Sequence, residues 1–182
     1  MRNGFSLIEV LIVVALIGIL SSSTALAINP TKRIAQARDA QRKTSIGQMA
    51  NALIAYETQF QQFPEEDGCD SSIGSANGPC PPPPPKILPS WDQASLFYQA
   101  LTGQGFIKSL PIDPINNTTY YYRYEPRKTN EDPCKGTGLV CRYWIGARLE
   151  SPQDPAKPVF RCSDNELLTA GVGCLEVDNF YN

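Results

Sequence analysis

The side chain best placed to do chemistry is Glu9, the single charge in a 24-residue run from Phe5 to Ile28 that reads FSLIEVLIVVALIGILSSSTALAI. A carboxylate inside an apolar membrane helix costs about 2.5–3.5 kcal/mol on the insertion scale, so its presence implies a partner that offsets the cost. Six cysteines, at positions 69, 80, 134, 141, 162 and 174, are the other reactive groups. None stands in a CxxC pair, and the chain contains no histidine. That composition argues against zinc and removes the commonest general base together with the Ser/His and Cys/His nucleophile systems. A disulfide set formed outside the cytoplasm is the expected use of these thiols. Six cysteines allow 15 pairings. The nearest-neighbour set, Cys69–Cys80, Cys134–Cys141 and Cys162–Cys174, closes three short loops rich in Gly, Pro and Asp and is the expected one. Oxygen ligands gather near the C-terminus at Asp164, Asn165, Glu166, Asp178 and Asn179. They do not follow EF-hand order, so Asp164 and Asp178 are at most calcium candidates and no resident cofactor is expected. No two carboxylates form a motif that identifies an acid/base site, and the chain reads as a non-enzyme.

These groups must be positioned by the elements around them. The chain is 42% hydrophobic and only 19% charged, against roughly 25% charged in an average soluble domain, and the apolar excess is concentrated at the N-terminus. As a helix, Phe5–Ile28 would reach about 36 Å, enough to span a bilayer core of about 30 Å. A cleaved secretory signal is the competing reading, supported by Arg2 and by Ala25-Leu26-Ala27 as a small-x-small site; Glu9 inside the apolar stretch argues against it. Ser21-Ser22-Ser23-Thr24 can bond back to the chain, Pro30 lacks a donor, and Asn29-Pro30 reads as a cap followed by a helix restart. A weak point is therefore expected between Gly18 and Pro30. From Thr31 to Phe63 the pattern is amphipathic. Ile34, Ala37, Gln41 and Thr44 give a thin stripe, and Ile46, Met49, Ala50, Leu53, Tyr56, Phe60 and Phe63 continue it as a core-facing one, ended by Pro64.

Charge is polarised along the chain. Residues 31–45 hold five Lys/Arg (Lys32, Arg33, Arg38, Arg42, Lys43) against Asp39, while residues 46–182 hold ten Lys/Arg against 16 Asp/Glu. The basic stretch reads as complementarity between subunits of a polymer, as contact with lipid headgroups, or as a solvated helix face. It conflicts with the positive-inside rule, and the cysteines decide for a location outside the cytoplasm. Pro81–Pro85 reads as a stiff spacer of roughly 15 Å. Ser90-Trp91-Asp92-Gln93 has capping-box spacing ahead of a short helix carrying Ala94, Phe97, Tyr98 and Leu101. Thr119–Glu125, Leu139–Leu149 and Val159–Cys162 read as antiparallel strands. Asn116-Asn117-Thr118 and Asn117-Thr118-Thr119 both fit the N-glycosylation acceptor pattern, taken here as a loop signal only.

Gly4-Phe5-Ser6-Leu7-Ile8-Glu9-Val10-Leu11-Ile12, with the apolar run and Gly18 behind it, resembles the class III signal of type IV prepilins and of the related pseudopilins of type II secretion systems. The resemblance implies that a prepilin peptidase cuts between Gly4 and Phe5 and methylates the new amine. The helix then serves first as a membrane anchor and later as the packed centre of a filament. Physical chemistry gives Glu9 a matching role, because the Phe5 ammonium, freed of Gly4, would be neutralised by a nearby carboxylate in low dielectric. The partner could be its own amine or another subunit's; in the family it is a neighbouring subunit's. The bracketing of a weakened segment by Gly18 and Pro30 is similar to the pilins as well. Leu110-Pro111-Ile112-Asp113-Pro114 is similar to a segment that precedes the sheet in major pseudopilins.

The expected organisation is a leader 1–4, a hydrophobic transmembrane and filament-core helix 5–29, an amphipathic continuation 30–63 and a globular head 64–182. The fold class is α+β: a long N-terminal α-helix packed on a small antiparallel β-sheet head with disulfide-bonded loops, pilin-like. The expected function is a structural subunit of a type IV pilus or pilus-like filament, with the major pseudopilin of a type II secretion system, or a secreted disulfide-bonded binding domain, as alternatives. Its partners would be copies of itself in a helical homopolymer, the prepilin peptidase, a membrane assembly platform, and membrane lipid before assembly. Nucleic acid is left open. The expected location is the cytoplasmic membrane as a single-pass protein, then a cell-surface filament.

Overall fold

The computed structural model describes residues 6–127, 139–140, 142–151, 158–162 and 167–169; for 22–28, 127, 158–162 and 167–169 it describes the backbone alone. The chain divides into two compact units, Met1–Ala37 and Arg38–Asn182.

The first unit contains helix α1, Leu7–Ile28, and the opening turns of helix α2, Pro30–Phe60. The helix is continuous through Gly18 and ends at Asn29, whose backbone is left-handed at φ 45° and ψ 77°. Asparagine tolerates that conformation because its short polar side chain bonds locally. Its Oδ1 accepts from the Lys32 amide at 3.3 Å and its carbonyl from the Arg33 amide at 3.3 Å. Asn29 thus closes one helix and opens the next, with Pro30 at the first helical position, where a missing N–H costs nothing.

The second unit is helix on sheet. Six strands run in the order β2-β1-β3-β4-β5-β6, every neighbouring pair antiparallel: β1 Cys69–Ser71, β2 Gly74–Ala76, β3 Tyr122–Arg127, β4 Arg142–Arg148, β5 Pro158–Cys162 and β6 Leu167–Thr169. In β3 the alternation that places Tyr122 and Tyr124 on one face buries both completely. They meet Ile46, Met49 and Leu53 of α2, each 0% exposed, together with Ile145 and Ala147 of β4. Each large apolar side chain buried this way contributes about 1.5–3 kcal/mol. Phe97 stacks on Tyr124 at 4.1 Å between ring centroids, and the Tyr124 hydroxyl donates to the Pro64 carbonyl at 2.6 Å. The chain is α+β, a long N-terminal helical region with a small antiparallel sheet and a disulfide joining Cys69 to Cys80 at a Cα separation of 5.6 Å.

Several local expectations change. On the N-terminal half of α2 the buried positions are Asp39, Arg42 and Ser45, while Ile34, Ala37, Gln41 and Thr44 are exposed. An apolar-stripe rule misreads a face whose buried side chains are paired charges. The short helix α3, Leu96–Tyr98, runs on through a π turn at Gln99–Gly103, and its cap is Ser95, whose hydroxyl accepts from the Tyr98 amide at 3.1 Å. Ser90 does not cap it because Trp91 is drawn inward, 2% exposed, with its ring N–H donated to the Pro111 carbonyl at 2.7 Å. The proline run is not a straight spacer. It turns, with the Lys86 amide on the Pro83 carbonyl, and comes back onto the β1–β2 hairpin through the Leu88 amide on the Ile73 carbonyl at 2.5 Å. Gly74, at φ 125°, leaves the space this return needs, since a Cβ there would collide with the Lys86 carbonyl.

Candidate processing and assembly site

Gly4 and Phe5 lie outside the described residues; the geometry begins at Ser6. Its backbone is extended, at φ −79° and ψ 148°, and its hydroxyl accepts from the Glu9 amide at 3.3 Å. The Ser6 carbonyl accepts from Glu9 at 3.1 Å and from Val10 at 3.3 Å. Ser6 is therefore the N-cap of α1, and it places Glu9 in the first turn, where the helix dipole favours a negative charge. Residue 5, four positions before Glu9, is about one helical turn away in sequence.

Large apolar side chains from Leu7 to Leu20 are half or more exposed, from 50% at Val13 to 87% at Leu7, and they point in every direction around the axis. A helix apolar on all sides belongs in a bilayer or among other helices. Among the described residues a Cβ at Gly18 would meet nothing within 4 Å. Ser21 donates its hydroxyl to the Ile17 carbonyl at 2.7 Å, which satisfies the polar group within the helix. Side chains of α1 are described only as far as Ser21, and among the described residues no helix is long and apolar enough to cross a membrane.

The second unit holds a polar centre that sequence reasoning missed. Arg42 is 0% exposed and has three carboxylates around it. Its Nε and Nη2 donate to the two oxygens of Asp113 at 2.7 and 2.9 Å, and its Nη1 donates to Asp39 at 2.9 Å and Glu150 at 2.5 Å. The Tyr120 ring lies under the guanidinium, 4.9 Å from its carbon. Arg38 pairs with Glu150 from the next turn of α2. Burial alone would lower the Arg42 pKa; the hydrogen bonds and charges of Asp113 and Glu150 outweigh it and raise the pKa. Burial likewise works to raise the Asp39 carboxyl, yet the amides of Glu150 and Ser151, at 2.9 and 2.8 Å, hold it below the ordinary carboxylate range. The one available signal was Asp113, inside the Leu-Pro-x-Asp-Pro phrase. Its Oδ1 also accepts from the Ile115 and Asn116 amides, so the motif shapes a turn and delivers an anion to α2. Two of the five basic residues of the 31–45 stretch, Arg38 and Arg42, are engaged inside this unit.

Of the six cysteines, Cys69 and Cys80 are joined. Cys134, Cys141 and Cys174 lie outside the described residues, and Cys162 is described by its backbone alone, opposite Trp144 on β5. Asp164 and Asp178 also lie outside them; among the described residues no three His, Cys, Asp or Glu side chains gather to hold a metal. An open groove of about 450 Å³ is lined by Gln41, Thr44, Ser45, Gln48, Ser109, Pro111 and Ile112, amides and hydroxyls beside two apolar side chains.

The chain matches the family model described as the prokaryotic N-terminal methylation motif over residues 1–25, the class III signal segment of type IV pilins and pseudopilins. No curated protein and no solved structure gives a significant match to the chain.

Proposed function

We propose that the chain is a structural subunit of a type IV pilus or pilus-like filament. A prepilin peptidase cuts after Gly4 and methylates the Phe5 amine; α1 anchors the subunit in the cytoplasmic membrane, and a membrane assembly platform then draws it into a cell-surface homopolymer. The observation that carries this reading is the methylation motif over residues 1–25, placed at the head of a helix whose large apolar side chains from Leu7 to Leu20 are half or more exposed. Inside the polymer the Glu9 carboxylate pairs with the N-terminal amine of a neighbouring subunit. Two charges withdrawn from water need each other to offset desolvation, which makes the pair a device for register rather than for net stability. N-terminal sequencing of the mature protein separates this reading from a secreted binding domain: methylated Phe5 supports the filament, and a start at Ile28 supports the secreted domain. Electron microscopy of cells expressing the wild type and Glu9→Ala then tests assembly. The variant is expected to be processed and membrane-held but largely missing from filaments; equal incorporation would rule out the Glu9 role.

A second reading, the major pseudopilin of a type II secretion system, is favoured by one observation. The Leu110–Pro114 phrase is used structurally, its Asp113 holding the buried Arg42 of α2. Deleting the gene separates the two, since a pseudopilin is required for release of secreted enzymes and a pilin is not.

A further inference from the structure

Residues 116–119 read Asn-Asn-Thr-Thr and contain two overlapping acceptor patterns for N-glycosylation, one beginning at Asn116 and one at Asn117. The structure treats the two asparagines in opposite ways. Asn116, at φ 51°, donates its amide nitrogen to the Ser72 carbonyl at 2.9 Å and the Pro89 carbonyl at 2.8 Å, and its Oδ1 accepts from the Ser72 hydroxyl at 2.7 Å. A primary amide has two N–H hydrogens, so both are engaged in tying this loop to the β1–β2 turn and to the segment behind the prolines. Asn117 uses only its oxygen. Oδ1 accepts from the Thr119 and Tyr120 amides, both at 2.9 Å, and among the described residues nothing takes a hydrogen from its Nδ2. The Asn117 amide and the Tyr120 carbonyl close the turn at 2.9 Å, and Asn117, Thr118 and Thr119 are all exposed. An Asx turn built by the segment itself therefore presents an amide nitrogen with both hydrogens available, two residues before an exposed threonine hydroxyl.

We propose that Asn117 is a site of N-linked glycan attachment and that Asn116 is not. An amide nitrogen is a poor nucleophile because its lone pair is shared with the carbonyl, so a transferase must hold both N–H hydrogens to free it; Asn117 offers both and Asn116 neither. In the reaction a bond forms between Asn117 Nδ2 and the anomeric carbon of a lipid-linked sugar diphosphate. The bond from that carbon to phosphate oxygen breaks, the lipid diphosphate leaves with the electron pair, and one Nδ2 proton passes to a transferase carboxylate. The donor is a lipid exposed outside the cytoplasm, so the proposal rests on export of the second unit, a location that the Cys69–Cys80 disulfide also suits.

The test is glycopeptide mass spectrometry with electron-transfer fragmentation on protein isolated from the membrane or filament fraction of its own cells. The tryptic peptide Ser109–Arg123 is expected to carry a sugar mass localised to Asn117. That mass should persist in Thr118→Ala, which removes only the Asn116 pattern, and in Thr119→Ser, and disappear in Thr119→Ala. All three substitutions are at exposed positions and leave the buried core untouched. An unmodified wild-type peptide, loss in Thr118→Ala, or persistence in Thr119→Ala would each overturn the assignment. Protease added to spheroplasts tests export separately: a head that protease reaches but that carries no sugar overturns this proposal and leaves the filament reading standing.

Discussion

At the scale of single residues, Arg42 and Asp70 are the buried charges whose environments pull in different directions. Arg42 satisfies its guanidinium with Asp39, Asp113 and Glu150, so deleting it strands carboxylates that are at most 9% exposed. Removal of one partner from a buried ionic cluster costs about 3–5 kcal/mol. Arg42→Ala should lower the thermal midpoint sharply, as followed by circular dichroism, and Arg42→Lys should recover little because an ammonium cannot grip Asp113 with two parallel bonds while reaching Glu150. A near-normal midpoint in the lysine variant would show that charge alone suffices. Asp70 on β1 is 1% exposed, and burial pushes its pKa up to about 6, against the pull of the Ser95 hydroxyl, the Asp67 amide and the Ser75 hydroxyl. A folded pKa above the unfolded value means the group favours the fold below about pH 4, and that contribution is lost as pH rises through about 6. The loss amounts to roughly 2–3 kcal/mol. Asp70→Asn is therefore expected to flatten urea-unfolding stability between about pH 4 and 6 relative to wild type. Asp39 has the opposite sign, since its lowered pKa contributes stability above about pH 4 that disappears on acidification. An unchanged profile in Asp70→Asn would show that Asp70 is not the group that titrates there.

At the scale of elements, the β1–β2 hairpin and α2 show what short-range pattern can and cannot convey. The three-residue strands of the hairpin are held by the Cys69–Cys80 bridge, by the return of the proline run through Leu88, and by Ser72 and Asn116. The bridge closes a loop with a sequence separation of 11. Constraint of a loop that size contributes about 2–4 kcal/mol, so Cys69→Ser with Cys80→Ser should destabilise the unit by that amount in urea titration without reductant, and an unchanged midpoint would show that the hairpin does not depend on the bridge. The apolar α1 and the core face of α2 from Ile46 to Tyr56 were legible because each signal lies within one element: continuous hydrophobicity in the first, three- and four-residue spacing in the second. The centre on Arg42 was not legible, because two of its three carboxylates stand 71 and 108 residues away in the chain and only Asp39 is local. On paper Arg38 and Arg42 are indistinguishable from the exposed Lys32, Arg33 and Lys43 beside them. The hairpin was missed for a related reason: Cys69-Asp70-Ser71 and Gly74-Ser75-Ala76 have neither alternation nor β-branched residues, and long-range bonds hold them as strands.

At the scale of the whole molecule, burial along the chain separates two kinds of association. Among the described residues the first buried side chain is Asp39, while the large apolar side chains of α1 described up to Leu20 are exposed. The buried core of the second unit is built from its own side chains, whereas the described apolar side chains of α1 form a contiguous exposed run of the kind a soluble monomer rarely carries. Deleting residues 1–29 should accordingly leave the unfolding free energy of the second unit within about 0.5 kcal/mol of its value in the full chain. The same deletion should abolish both membrane partition and incorporation into filaments. Light scattering should then find the truncated protein monomeric in detergent-free buffer. Truncated protein that aggregates, or melts much earlier, would show that α1 supports the fold of the head. Because the truncation removes the apolar surface and Glu9→Ala only the charge, comparing the two divides the roles: a truncated chain lost from membranes beside a Glu9→Ala chain held in membranes but absent from filaments assigns anchoring to the apolar run and register to the carboxylate.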